Sequence, residues 1–138
     1  MKSNGRSHLQ GLMLALALAA SSALALPTVA SAVEVMAFTP AALDAAKASG
    51  KPIIIDVTAP WCPTCRAQKP ILSKLLAEPA YRDVVFFSID FDSQKPFLRK
   101  LGVSAQSTLI AYRGAREAAR STGDTDAVSI RTLLDKAI

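Results

Sequence analysis

Cys62 and Cys65 are the only cysteines of the 138-residue chain, and they lie at i and i+3 in the segment Trp61-Cys62-Pro63-Thr64-Cys65. An apolar, β-branched run ends just before them and helical periodicity begins just after. The first sulfur is therefore expected among the unpaired amides of a helix N-terminus, which stabilise a thiolate. The thiolate is the species that attacks disulfides, so Cys62 reads as the nucleophile and Cys65, one turn further in, as the resolving thiol. A disulfide closing so short a loop restricts the unfolded chain very little and makes a poor staple. A four-thiolate zinc site lacks half its ligands in this chain.

The one histidine, His8, lies within the first 32 residues, which differ in kind from the rest. Lys2 and Arg6 precede an apolar run from Leu12 to Leu26, followed by Pro27 and Ala30-Ser31-Ala32. This is the layout of a secretory signal peptide, with cleavage expected after Ala32 and export to the periplasm or an equivalent compartment. The apolar run is short against the roughly 20 residues of a membrane span. A mature chain beginning at Val33 has no imidazole, so a Cys/His pair, a Ser/His/Asp triad and a Cys2His2 zinc site are excluded within it.

Residues 33–138 fit one ordinary domain of about 100 to 150 residues. The full chain carries a formal charge of +5, and loss of the leader leaves 14 Lys and Arg against 11 Asp and Glu. These basic residues are scattered, without the clustering that a phosphate lattice rewards, so nucleic acid is not an expected partner.

The elements that must hold the cysteines follow from periodicity. A first strand is expected over Val33–Phe38, then a helix from the Thr39-Pro40 cap to Ser49, stopped by Gly50. Ile53-Ile54-Ile55-Asp56-Val57-Thr58 reads as a central strand buried on both faces. One long helix from Cys62 to about Ala77, kinked at Pro70, follows the cysteine turn. Further expectations are a strand over Val84–Ile89, a helix over Ser93–Leu101 and strand four over Thr108–Tyr112. A hairpin at Gly114 leads to a weaker strand near Glu117–Arg120. A last helix, capped by Asp124 or Thr125, presents Ile130, Leu133, Leu134 and Ala137 to the core. This order makes an α/β fold, a mixed sheet with helices on both faces.

Asp56 before the pair, Ala59, Trp61, Pro70, Asp92 and Gly123 together give the chain a pattern that resembles the thioredoxins over nearly all of residues 33–138. The resemblance implies a thioredoxin fold and thiol–disulfide oxidoreductase activity on protein substrates, with no cofactor. It makes Asp56 the buried acid that deprotonates Cys65 through water, and an apolar setting raises such a pKa into a useful range. Trp61 offers substrate an apolar surface beside Cys62. Gln106, Ser107 and Thr108 form the facing, substrate-binding segment.

Two departures from that pattern stand out. Ser107 occupies the position of the family's cis-proline, and without a prolyl nitrogen the cis bond costs about 2.5 to 4 kcal/mol, so a trans bond is expected. Loss of the ring also opens the sulfurs to metal: the alternative reading is a metal-binding or metal-delivery protein in which two chains pair their cysteines around an ion or cluster. Second, Ser88 takes the place of a basic residue near the acid, which is expected to raise the Asp56 pKa further. The Ser49-Gly50-Lys51-Pro52 lead-in is similar to exported Dsb-type reductase domains, which draw electrons from a membrane thiol transporter. That similarity implies such a partner and the reducing direction.

Overall fold

The computed structural model describes residues 33–138, and the expected leader lies outside the described residues. Five strands, β1 (Glu34–Ala37), β2 (Pro52–Thr58), β3 (Val85–Asp90), β4 (Thr108–Arg113) and β5 (Arg116–Thr122), form one sheet in the order β1-β3-β2-β4-β5. β1, β3 and β2 run parallel, while β4 pairs antiparallel with β2 and β5 antiparallel with β4. The helices are α1 (Pro40–Ala48), α2 (Pro63–Leu76), α3 (Lys95–Lys100) and α4 (Ala127–Leu134), with a 3₁₀ turn at Pro79–Tyr81.

β2 is central because its residues can be buried on both sides. Ile54 joins Leu109, Ala111 and Phe86 under Leu72 and Leu75 of α2 and Ile130, Leu133 and Leu134 of α4. Ile53, Ile55 and Val57 point the other way, against Leu43 of α1 and Leu98 of α3. Successive side chains alternate across a strand, so this one run feeds both apolar layers. The mixed sheet with helices on both faces is thus as expected.

The helix ends explain the small shifts in boundary. Thr39 caps α1 by accepting from the Ala42 amide, and Gly50 beyond its end takes φ +73°, a left-handed conformation that glycine adopts without penalty. α2 runs unbroken through Pro70, although the proline has no N–H to give the Arg66 carbonyl. α3 starts at Lys95 and not Ser93, because Asp90 Oδ1 holds Ser93 in a turn through its amide at 2.8 Å and its hydroxyl at 2.6 Å. The cap of α4 is Asp126, which accepts from the Ser129 amide at 2.8 Å. Neither expected cap, Asp124 or Thr125, holds that position: Asp124 accepts from the Asp126 amide at 3.0 Å and so shapes the turn before the helix.

α4 closes one apolar layer, and its contribution can be measured. Leu134 is fully buried, whereas Val128 on the same helix is 72% exposed. Leu134→Ala is expected to cost about 2 to 5 kcal/mol in denaturant unfolding, and Val128→Ala to stay within about 0.5 kcal/mol of wild type.

Candidate active site

The site lies where β2 ends, α2 begins and the chain enters β4. Cys62 is the N-cap of α2, and its Sγ accepts the Cys65 amide hydrogen at 3.1 Å. Cys62 and Cys65 are joined as a disulfide, with Cα atoms 5.3 Å apart. The helix therefore directs one of its free N–H groups at the first sulfur, the arrangement that favours a thiolate there after reduction. Both cysteines are buried, Cys62 at 1% and Cys65 at 6% exposure, and they pack with Ala59 and the half-buried Phe91.

Asp56 follows from the alternation of β2. Ile54 before it packs against α2, and Thr58 after it lines a cleft shared with Cys65, so Asp56 faces α2 between them. Its Oδ1 is buried without a hydrogen-bond partner among the described residues. Burial pushes the carboxyl up from 3.8 to about 6, and the positive charge of Lys69 pulls in the opposite direction. Ser88 does lie beside Asp56 in the β2–β3 register, as expected. The acid is not left without a cation, however: Lys69 on α2, one turn beyond Cys65, supplies the charge that β3 lacks.

The cleft, of about 440 Å³, is lined by Thr58, Ala59, Pro60, Cys65, Arg66, Lys69, Ser88 and Asp90. Cys65, but not Cys62, lines it. Among the described residues no three His, Cys, Asp or Glu side chains gather as a metal set. A metal held by Cys62 and Cys65 would need ligands from a second chain.

Ser107 faces the disulfide directly. Its Oγ lies 3.1 Å from Cys62 Sγ and 3.0 Å from Cys65 Sγ, and the residue is 2% exposed. Its backbone takes φ +58°, a region that non-glycine residues occupy only when their surroundings fix them there. Three bonds do so: its amide donates to the Val57 carbonyl at 2.7 Å, and its carbonyl accepts from the Gly123 amide at 2.9 Å and from Gln68 Nε2 at 3.3 Å. The neighbours differ. Gln106 is half-buried in the preceding loop, while Thr108 is buried and its hydroxyl bonds the Ala105 carbonyl at 2.8 Å and Thr122 Oγ1 at 2.9 Å. Thr108 thus braces β4 against β5.

Trp61 is 54% exposed, and its indole N–H donates to Asp92 Oδ2 at 2.7 Å. Asp92 is itself placed by the turn that Asp90 organises, through the 3.2 Å bond from its amide to Asp90 Oδ1.

Three contributors went unread in the sequence: Lys69, the Trp61–Asp92 bond and Gln68. Gln68 is 1% exposed, and its Nε2 also donates to the Asp124 carbonyl at 2.6 Å, tying α2 to the loops on either side of β4 and β5. A signal for it existed. Cys65, Gln68, Leu72, Leu75 and Leu76 share the buried face of α2, and a lone amide on an apolar stripe calls for a polar partner.

Comparisons with known proteins agree with this geometry. A sequence model of the family described as Thioredoxin matches residues 34–136. Thioredoxin H-type of Brassica campestris is 38% identical over 81 residues, 59% of this chain and 64% of that protein, so the match spans just under two thirds of the plant relative. Thioredoxin-2 of Saccharomyces cerevisiae is 36% identical over 81 residues, 58% of this chain and 76% of its own length. The crystal structure of Trxlp from Edwardsiella tarda EIB202 superimposes with a TM-score of 0.71 at 44% identity, covering 73% of this chain and 98% of that one. The chain belongs to the thioredoxin family.

Proposed function

We propose that this protein is a thiol–disulfide oxidoreductase that reduces disulfides of protein substrates outside the cytoplasm through its Cys-Pro-Thr-Cys centre. The observation that carries the reading is the paired cysteines at the N-terminus of α2, with the Cys65 amide aimed at Cys62 Sγ. Reduced Cys62, as thiolate, attacks a substrate disulfide and forms a mixed disulfide, releasing one substrate thiolate. Cys65 then loses its proton through water to Asp56 and attacks Cys62 Sγ, releasing the second substrate thiolate and closing the protein disulfide. A dithiol on the electron-supplying side, for which the lead-in to β2 favours a membrane thiol transporter, returns the protein to its reduced form. Trp61 supplies the apolar surface on which a substrate polypeptide rests, and the loop entering β4 brings Ser107 against both sulfurs.

Export rests on the sequence of residues 1–32, whose charged start, apolar run and Ala-Ser-Ala ending are those of a cleavable leader. Protein recovered from cells is expected to begin at Val33 by N-terminal sequencing and to fractionate outside the cytoplasm. An intact Met1 on cytoplasmic protein would overturn this.

The exchange chemistry is tested with two variants. Cys65→Ser is expected to accumulate a mixed disulfide with a disulfide-bearing protein, and Cys62→Ser to form none and to lose reductase activity altogether. A Cys62→Ser protein that reduces disulfides as fast as wild type would refute the mechanism.

Asp56 makes two predictions of opposite sign. As a base it works only when ionised, so the single-turnover rate of mixed-disulfide resolution should rise through about pH 6, and Asp56→Asn should flatten that rise. Lys69→Gln, which removes the charge favouring the anion, should move the rise to higher pH. For stability the native carboxyl binds its proton more tightly than the unfolded one, at about 6 against 3.8. Between those values the native state holds more protons, so stability falls as pH rises and the loss is complete above about pH 6. Asp56→Asn should therefore stabilise the oxidised protein at pH 7, by on the order of 1 to 3 kcal/mol in denaturant unfolding, with the gain vanishing near pH 3.

A further inference from the structure

We propose that the Ser107 hydroxyl is a hydrogen-bond donor shared by the two sulfurs, stabilising whichever of them carries the thiolate and thereby setting the redox balance of the pair. This rests on the exchange reading above and adds a catalytic group to it.

The argument begins with what the hydroxyl can bond. Ser107 Oγ has Cys62 Sγ at 3.1 Å and Cys65 Sγ at 3.0 Å, and these two sulfurs are its hydrogen-bond partners among the described residues. While the sulfurs are joined neither carries a hydrogen, so Ser107 is the donor. A disulfide sulfur is a weak acceptor, which leaves a hydroxyl on a 2% exposed residue poorly satisfied. Reduction replaces that weak acceptor with a thiolate, and a hydrogen bond to an ionised partner is roughly twice as strong as a neutral one. The same hydroxyl thus bonds better in the reduced protein than in the oxidised one. A difference of that kind shifts an equilibrium, which a contact of equal strength in both states cannot do.

The hydroxyl is also held in place before reduction. The Val57 carbonyl, the Gly123 amide and Gln68 Nε2 fix the Ser107 backbone on three sides, at φ +58°. Little ordering remains to be done when charge appears on sulfur, which is what makes a preorganised donor effective. A proline at this position, as the family pattern has it, would bring neither the hydroxyl nor the amide that reaches Val57.

One hydrogen can serve one sulfur at a time, and the exchange sequence uses it twice. Before attack, the O–H points to the Cys62 thiolate. Attack forms the bond from Cys62 Sγ to substrate sulfur, breaks the substrate disulfide and moves the negative charge onto the departing substrate thiolate. Cys65 then gives up its proton to Asp56 through water, and the O–H turns to the new thiolate at Cys65 Sγ. That thiolate attacks Cys62 Sγ, the mixed disulfide breaks and the second substrate thiolate leaves with the electron pair. Two electrons have passed from the protein dithiol to the substrate disulfide, and the serine ends as it began. A donor also lowers the intrinsic nucleophilicity of the thiolate it stabilises, so the equilibrium is a cleaner readout than the rate.

The test is the reduction potential of the isolated protein against glutathione, together with the Cys62 pKa from the pH dependence of iodoacetamide alkylation. Wild type is compared with Ser107→Ala and Ser107→Gly. Both variants lack the hydroxyl, but glycine accepts φ +58° freely, whereas alanine keeps the backbone cost. Both are expected to shift the equilibrium toward the disulfide by about ten-fold, a fall of about 30 mV for a two-electron couple, and to raise the Cys62 pKa by about one unit. Their stabilities should differ from each other while their potentials agree. Wild-type potential and Cys62 pKa in both variants would overturn the proposal, as would a shift in the alanine variant that glycine restores, since strain and not the hydroxyl would then be responsible. A wild-type protein with no reversible two-electron couple would instead sink the exchange reading itself.

Discussion

The hydrogen bond from the Ser107 amide to the Val57 carbonyl, 2.7 Å long, joins the start of β4 to the end of β2. It lies one residue out of register with the β2–β4 ladder, whose last pair is Val57–Thr108, and pins the left-handed residue before β4 to that same Val57. Because β2 is also the strand that turns into α2, this single link brings the facing loop to the helix N-terminus that carries the cysteines. The remaining contacts at the site depend on it. Gly123 and Gln68 can reach the Ser107 carbonyl only once the loop lies there, and the hydroxyl meets both sulfurs for the same reason.

Around that link the molecule tolerates features that a structure selected for stability alone would lack. The Asp56 carboxyl is desolvated with one oxygen unpartnered, and Ser107 holds a left-handed backbone without being glycine. Each is unfavourable by itself, and Ser107 lies against both sulfurs. The cost is carried by the two apolar layers, in which Ile53, Ile54, Ile55 and Val57 of one strand are all fully buried. Asp56 sits half-buried on this strand, with its Oδ1 out of reach of water. Burial there pushes its pKa up to about 6 against the pull of Lys69.

The strand and helix order was readable because burial leaves periodic marks. The β-branched run at 53–57 has no other good use than a central strand, and the Thr39-Pro40 and Gly50 signals bracket α1 as the caps do in the structure. Ends set by competition between side chains were not readable. Asp124, Thr125 and Asp126 are all capable caps, and the choice of Asp126 depends on Asp124 being drawn to the turn. The site divided along the same line. Cys62, Cys65 and Asp56 announce themselves by type and spacing. Lys69 does not, since its effect on Asp56 arises from α2 lying over β2, a contact between segments that local sequence does not encode. Gln68 was readable in principle, as a polar break in the buried stripe of α2, but its partners at Ser107 and Asp124 come from distant segments.

Burial of both sulfurs next to an exposed Trp61 imposes a condition on recognition. On the proposed function, Cys62 at 1% exposure is out of reach of a substrate sulfur by simple collision, so a productive encounter has to begin on the surface around it. The indole suits this task because its one polar group is already committed to Asp92 Oδ2. What remains facing solvent is apolar and held at a fixed angle, offering an extended polypeptide a contact that needs no sequence match. The turn organised by Asp90 therefore contributes indirectly: it places Asp92, which orients Trp61 beside Cys62. Selectivity for a disulfide over other polypeptide would then come from the chemistry of the sulfurs, with the surface supplying only adhesion. On the proposed function, that division suits a reductase of many folded or partly folded proteins, with the tuning of the reaction inside the protein, between α2 and the start of β4.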